Sequence, residues 1–145
     1  MSLGLFALQS AIYSRLNSDS NLTNTLGASV FDDVPENPTY PFVGIGQDTS
    51  IDFSTKDANG SENTLTLDIF SRYLGSKETK DIMDRVHTLL HDAAITVSGQ
   101  NLINIRFEFG DILREPDGLT RHGVMRFRAI MLLLVRIKTN GSTER

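Results

Sequence analysis

Thr64-Leu65-Thr66-Leu67-Asp68-Ile69-Phe70 is the stretch that decides the fold. Its period of two is that of a half-buried strand: Leu65, Leu67 and Ile69 face one way, Thr66 and Asp68 the other. Upstream, Phe42 to Gly46 reads as a short strand that Thr49 to Ser54 extends. Asp57-Ala58-Asn59-Gly60 between them is a turn signal, because Asn and Gly tolerate positive φ. Together these make a β-hairpin with a long polar tip, Ser54 to Glu62. A sheet with one apolar face needs a covering layer on that face alone.

The cover is written on either side of the hairpin. Gly75-Ser76 opens a helix with Ser76 as N-cap and Glu78 in the first turn, where the helix dipole favours an anion. Ile82, Val86, Leu89, Leu90 and Ala93 form its buried face. Lys77, Lys80, Asp81, Asp84 and Arg85 form the wet face, with i,i+4 pairs Lys77–Asp81 and Lys80–Asp84. An earlier helix over 5–17 places Leu5, Leu8, Ile12 and Leu16 on one stripe. Asp19 is placed to N-cap a short turn, Ser20 to Leu26, which Gly27 ends. Val30 and Phe31 suggest a short strand. Pro35, Pro38 and Pro41 forbid a helix and favour an extended surface loop.

The last third reads as β. Ile103, Ile105, Phe107 and Phe109 alternate with Asn104, Arg106 and Glu108, and Pro116-Asp117-Gly118 is a turn. The return strand from Arg121 puts Met125, Phe127, Ala129, Met131 and Leu133 on one face, with Arg126 and Arg128 on the other. Unbroken to Lys138 it would span about 57 Å at ~3.3 Å per residue. A bend is expected, or a C-terminal segment that leaves the body to meet a neighbour. The reading is one α+β domain over 1–138, with an unstructured tail over 139–145. A mostly antiparallel sheet carries two main helices on one face, in the order α-(α)-β-β-β-α-β-β.

The 145 residues carry 14 Lys+Arg and 18 Asp+Glu, a formal net charge of −4, and no Cys or Trp. Acidity argues against a protein whose main affinity is for nucleic-acid phosphates. The lack of Cys excludes disulfides, thiolate metal sites and thiol nucleophiles. The longest apolar run, Ala129 to Val135, is far short of the ~20 residues that span a bilayer, so no membrane partner is expected. The charge is uneven along the chain. Residues 1–100 carry 6 basic and 13 acidic groups, whereas residues 101–145 carry 8 basic and 5 acidic groups.

Candidate chemistry is sparse. His87 and His91, at i,i+4, share a helix face and could hold Zn²⁺ with Asp84 one turn back, but Thr88 stands where H-E-x-x-H has its general base. The competing reading is two boundary histidines. Gly44-Ile45-Gly46 has no third Gly and no following helix, so it reads as strand glycines allowing close backbone approach. Asp32, Asp33 and Glu36 beside the proline loop read as turn and solvation residues. No Ser is flanked by glycines as in a nucleophile elbow. The basic strand Arg121, Arg126, Arg128, Arg136 and Lys138 could track a phosphate backbone but lacks interleaved exposed aromatics. Subunit contact is the favoured reading.

Several stretches in register resemble the tail-completion, or tail-terminator, proteins of long-tailed bacteriophages and gene-transfer agents. They are Leu8 to Leu16, Val34-Pro35 to Tyr40-Pro41-Phe42-Val43, Ile45-Gly46-Gln47-Asp48-Thr49, and Glu62 to Arg72. Then follow Gly75-Ser76-Lys77-Glu78, Leu90-His91-Asp92-Ala93, Leu113-Arg114-Glu115-Pro116-Asp117-Gly118 and His122 to Arg128. Together they cover residues 8–129 in order.

The resemblance implies a structural virion protein with no catalytic residues, no metal and no cofactor. It implies a homo-oligomeric, hexameric ring that caps the tail tube, stops tube polymerisation and joins the tail to the head connector. Its partners would be the tail tube protein and a head–tail connector or stopper protein, with DNA passing through the lumen without specific binding. It would reside in the tail and neck of the virion, and in host cytoplasm during assembly. The alternatives are a head-side connector or stopper ring of the same neck, and more remotely a small metal-dependent enzyme using His87 and His91.

A ring needs two different faces of one subunit to meet. Arg121, Arg126 and Arg128 on the basic strand and Asp81 and Asp84 on the acidic helix are the candidate inter-subunit contacts. Asp52, Lys56, Asp57, Asn59 and Glu62 are the candidates for contact with the tail tube or the lumen.

Overall fold

The computed structural model describes residues 4–133, with the backbone of 139–140 and 142–143. Helix α1 (Leu5–Asn17) is followed by a π-helical turn (Asn21–Thr25), strands β1 (Ser29–Phe31), β2 (Phe42–Asp52) and β3 (Gly60–Ser71), helix α2 (Lys77–Leu90), and strands β4 (Gln100–Arg114) and β5 (Arg121–Leu133). These make one five-stranded sheet in the order β1-β2-β3-β5-β4. Every pairing is antiparallel except β1 with β2, which is parallel. The expected α+β order is the observed one. The expected run to Lys138 lies outside the described residues, as do residues 141, 144 and 145 of the expected unstructured tail, whereas Thr139–Asn140 and Ser142–Thr143 pair as a short antiparallel two-stranded ladder by backbone hydrogen bonding instead of lying unstructured.

Both helices lie on one face of the sheet, over a single core. Leu8, Ile12 and Leu16 of α1 and Ile82, Val86, Leu89 and Leu90 of α2 are buried against Leu65, Leu67, Ile69, Met125, Phe127 and Ala129. The alternation in β3 and β5 is the reason: the same parity in paired strands collects onto one face. Leu65 stands opposite Phe127, and Leu67 opposite Met125. Helix α2 packs tightly over Gly123, where a Cβ would stand 2.8 Å from Met83 Sδ and 2.9 Å from Thr79 Cγ2. Glycine is required there by space, not by turn geometry.

Strand β4 departs from the expected alternation. Bulges between Leu102 and Asn104 and between Phe107 and Phe109 break its register with β5. Each extra residue reverses the parity that follows. Ile105 stays in the core and Phe107 packs against it, while Ile103 is 50 % and Phe109 43 % exposed. Strand β3 also begins earlier than its apolar run. Ser61 and Asn63 are buried on the same face as Leu65, and Asn63 Nδ2 donates to Ser61 Oγ at 2.8 Å.

Local chemistry fixes the joins. Asp19 caps the π-helical turn through the N–H of Leu22 at 2.9 Å, and Arg85 grips the same carboxylate at 2.7 and 2.8 Å. Arg85 is therefore not on the wet face assigned to it: it is half-buried in a bidentate pair. Its hydrogen bond is the chief reason that the Asp19 carboxyl lies below the ordinary value. Ser76 occupies the N-cap position of α2, but its hydroxyl makes no capping bond. Lys77–Asp81 closes at 2.7 Å. The other expected pair, Lys80–Asp84, is not formed. In the β4–β5 turn, Asp117 accepts the N–H groups of Thr120 and Leu119 and the Thr120 hydroxyl, all at 2.8 Å. These donors, the Thr120 N–H foremost, lower its carboxyl to about 2.

Candidate assembly surfaces

Among the described residues the second face of the sheet has no helix over it. Register places on it Phe42, Phe70 and His122 at one end, Thr66 and Arg126 in the middle, and Glu62 with Ile130 toward the hairpin tip. At the first end an aromatic row crosses the strands. Ring centroids are 5.7 Å apart for Phe31–Phe42, 5.1 Å for Phe42–Phe70 and 4.3 Å for Phe70–His122. Tyr40 packs on Phe42 at 5.3 Å, and the Arg72 guanidinium lies 4.1 Å over the Tyr40 ring. His122 Nε2 is 2.7 Å from Asp68 Oδ1, and its Nδ1 is 3.4 Å from Glu115 Oε2. This row follows from register, since residues of equal parity on paired strands become neighbours. The sequence does not show this row, because register is a property of paired strands and not of any one of them.

The middle of the open face is a shallow polar depression of about 340 Å³ lined by Gln47, Thr49, Thr64, Thr66, Glu108 and Arg126. The Arg126 guanidinium lies 5.1 Å from the Phe109 ring centroid. Arg128 Nη1 is 3.9 Å from Glu62 Oε1. The charge asymmetry of the sequence is thus partly cancelled in space. β3 comes from the acidic part of the chain but pairs with β5, which brings Glu62 and Asp68 onto the face of Arg126 and Arg128.

The five expected contact residues divide accordingly. Arg126 and Arg128 share the open face. Arg121 has the opposite parity, paired with Ser71 and Arg114, so it does not belong to their row. Asp81 and Asp84 lie on α2, in the layer behind the sheet. Asp81 is engaged by Lys77, whereas the carboxylate of Asp84 has no ion pair among the described residues. Arg126 likewise has no carboxylate partner among them.

The tip is ordered by its own hydrogen bonds. Ser54 Oγ donates to Asp52 Oδ1 at 2.7 Å and accepts the Gly60 N–H at 3.1 Å. Thr55 Oγ1 accepts the Ala58 N–H at 3.2 Å. Asn59 lends its carbonyl to the N–H of Leu133 at 2.8 Å, tying the tip to the end of β5. Asp52, Lys56, Asp57 and Asn59 are exposed on or beside it, while Glu62 lies on the open face beside Arg128. Just before the tip, Ile51 and Phe53 are 60 % and 48 % exposed.

His87 and His91 do not converge on a common point. Their rings stack 4.7 Å apart with planes 18° from parallel, so their in-plane lone pairs run side by side. His91 Nδ1 accepts the N–H of Phe107 at 2.9 Å. Among the described residues no three His, Cys, Asp or Glu side chains are grouped to hold a metal. Gly44 and Gly46 are close-approach glycines, as read: a Cβ at Gly46 would stand 2.6 Å from Asp68 Oδ2 and 3.2 Å from the Thr66 carbonyl oxygen. Asp32, Asp33 and Glu36 are exposed. A groove of about 480 Å³ between α1 and the segment before β4 is lined by Phe6, Ala7, Ser10, Ala11, Ser14, Thr96 and Ser98, with no acid or base. None of the described helices is long and apolar enough to cross a membrane.

Comparison with known proteins agrees with the resemblance seen in the sequence. The profile of the family described as tail completion protein gp17 matches residues 10–132. Tail completion protein gp17 of Bacillus phage SPP1 is 26 % identical over 122 residues, covering 84 % of this chain and 90 % of that protein. A chain in the virion of a native gene transfer agent particle superposes with a TM-score of 0.82 at 26 % identity, over 88 % of this chain and 96 % of that one. The structure of bacteriophage SPP1 gp17 shares the fold, with a TM-score of 0.61 at 24 % identity over 93 % of this chain and 94 % of that one.

Proposed function

Because the chain belongs to the tail completion protein gp17 family, we propose that it forms a hexameric ring that caps the tail tube, stops tube polymerisation and joins the tail to the head connector. It is a structural tail-completion component of a phage or gene-transfer-agent virion, and not an enzyme. The tail tube protein and a connector or stopper protein are the proposed partners, met during assembly in host cytoplasm. The net charge of −4 suits a lumen through which DNA slides without being held.

The observation that supports the ring is the one-sided sheet. Its open face carries Arg126, and the opposite side of the molecule carries Asp84, each without an ion-pair partner among the described residues. Two different surfaces on opposite sides of a subunit make a head-to-tail contact, which closes into a ring when the rotation allows. Charge complementarity across that contact selects the right neighbour. Negative-stain imaging of the purified protein, alone and mixed with tail tube protein, is the test. Six-fold rings, free or on tube ends, are expected. Uncapped tubes of unregulated length beside monomers would overturn the reading. Arg126→Glu should lower ring yield with the monomer still folded, and Asp84→Lys in the same chain should restore it.

The tip is proposed as an axial contact with the tube. Replacing residues 54–59 by a two-residue turn should leave the sheet intact and give overlong tubes in the electron microscope.

A further inference from the structure

The sheet has two edges, and they are guarded unequally. On β4 the Ile105 carbonyl accepts the Asp92 N–H at 2.7 Å, and the Phe107 N–H is taken by His91. The Ile112 N–H is taken by the side chain of Asp111 at 2.9 Å. The other edge is β1, but β1 pairs only with Phe42, Val43 and Gly44. From Ile45 to Asp52 no strand lies outside β2 among the described residues. Phe53 donates its N–H inward to Gly60. Alternation along an antiparallel strand then turns the backbone groups of Ile51 and Thr49 toward β3 and leaves those of Asp48, Ser50 and Asp52 at the free edge. An open row of this kind is a template for another strand.

We infer that residues 134–138 of one copy add as a strand to this free edge of β2 in a neighbouring copy. Within Leu134-Val135-Arg136-Ile137-Lys138, the last four residues alternate apolar and basic. Laid along β2, it puts Arg136 and Lys138 on the face of Asp48 and Asp52, and Val135 and Ile137 on the face of Thr49 and Ile51. Ile51 is 60 % exposed in the single chain, and an apolar neighbour there would cover it.

The segment cannot reach its own β2 edge. Leu133 ends β5, which is separated from β2 by β3. The vacant place beyond β2 is three strand spacings from β5, about 14 Å. Crossing that distance takes at least ~4 residues of extended chain, which uses the segment up before pairing begins. Each copy therefore gives one strand and receives one, a head-to-tail contact of the kind a ring requires. This inference rests on the ring reading for its setting, but its contact can be measured separately.

The absence of Cys allows a clean test in the full chain. One preparation carries Ile51→Cys, a second carries Ile137→Cys, and the two are mixed and treated with a short bismaleimide. A cross-link between the two species is expected, well above that of a Thr39→Cys control. Ser50→Pro removes an outward N–H that the fold does not use and should cut the yield at least about tenfold, a loss of ~1.4 kcal/mol in pairing. Asp48→Lys with Asp52→Lys, both exposed, should do the same, and Arg136→Glu with Lys138→Glu in the partner should restore it. Rings in the microscope with no cross-link above control overturn the strand addition and leave the ring reading standing. A cross-link that Ser50→Pro and the charge reversal both leave unchanged also overturns it. Cross-linked chains without rings support the strand addition and count against the ring.

Discussion

The two faces of the sheet are built from the same strands, yet one is a buried core and the other meets solvent. On the covered face Leu65, Leu67, Ile69, Met125, Phe127 and Ala129 are all at most 3 % exposed. On the open face their immediate neighbours Thr66, Asp68, Arg126 and Arg128 remain in contact with solvent. Sequence alternation produces both surfaces at once, since each step along a strand changes side. The contrast teaches that folding and assembly can be altered separately. Changes at odd positions of β5 from Met125 to Met131 should act on stability, and changes at Arg126 and Arg128 on assembly.

The largest expected effect is on the covered face. Phe127 is fully buried, opposite Leu65 on one side and Phe107 on the other. Phe127→Ala removes a large side chain from the middle of the sheet and should cost about 3–5 kcal/mol. For a chain of this size that lowers the melting temperature by roughly 10 °C or more, read by calorimetry. A shift under ~2 °C would mean that the core collapses freely around the gap, and the contrast between faces would lose its basis.

Next comes the join between α1 and α2. Asp19→Ala removes a cap and leaves the Arg85 guanidinium half-buried without its carboxylate, which should cost about 2–3 kcal/mol. Asp19→Asn keeps an oxygen acceptor for the Leu22 N–H and should recover part of the loss. Equal denaturation midpoints for the two variants would show that the charge, and not the cap, carries the contribution.

Asp117, in the β4–β5 turn, makes stability depend on pH. Its folded carboxyl value, about 2, lies below its ordinary value of 3.8. A lowered value contributes stability that is present above the ordinary value and is lost as pH falls toward the folded one. Asp117→Asn should therefore melt below the unaltered chain at pH 5, with the gap closing between pH 3.8 and about 2. A gap that stays constant over this window in thermal melts would assign the effect to turn geometry instead of charge.

Much of the covered face was legible in the sequence because hydrophobic period and burial coincide there. Leu65, Leu67 and Ile69, then Leu8, Ile12 and Leu16 of α1, and Met125, Phe127, Ala129 and Met131 of β5 read correctly from spacing alone, whereas Leu5 and Leu133 at the ends of their stripes are only half-buried. Legibility failed where burial and hydrophobicity part. Ser61 and Asn63 extend β3 into the core with polar side chains, so the apolar run stopped short of the strand. The two bulges in β4 could not be seen, because Ile103 and Phe109 keep a perfect alternation that the backbone then breaks. Arg85 read as a solvent residue because its partner, Asp19, is distant in sequence and joined only by packing. The proposed assembly surface is the least legible. Charge groups Arg121 with Arg126 and Arg128, although parity sets it on the other side. The aromatic row of Phe42, Phe70 and His122 needs a register that no single strand contains.

The smallest expected effect gives the sharpest test of the contrast. Arg128 and Glu62 are 3.9 Å apart on the open face, and both side chains keep at least 30 % of their exposure. A pair at that distance and hydration contributes within ~1 kcal/mol, because solvent screens the attraction and ordering two long side chains costs entropy. A double-mutant cycle of Glu62→Ala and Arg128→Ala should give a coupling below about 0.5 kcal/mol in denaturant unfolding of the monomer. The charges would then be free of any duty to the fold, and Arg128→Ala should change ring yield or its salt dependence while the melting temperature holds. A coupling above ~1 kcal/mol would mean that the open face helps hold β3 to β5. Assembly and stability could then no longer be altered independently there, and loss of rings in Arg126→Glu would have to be compared with the unfolding curve of the same variant before being assigned to a lost contact.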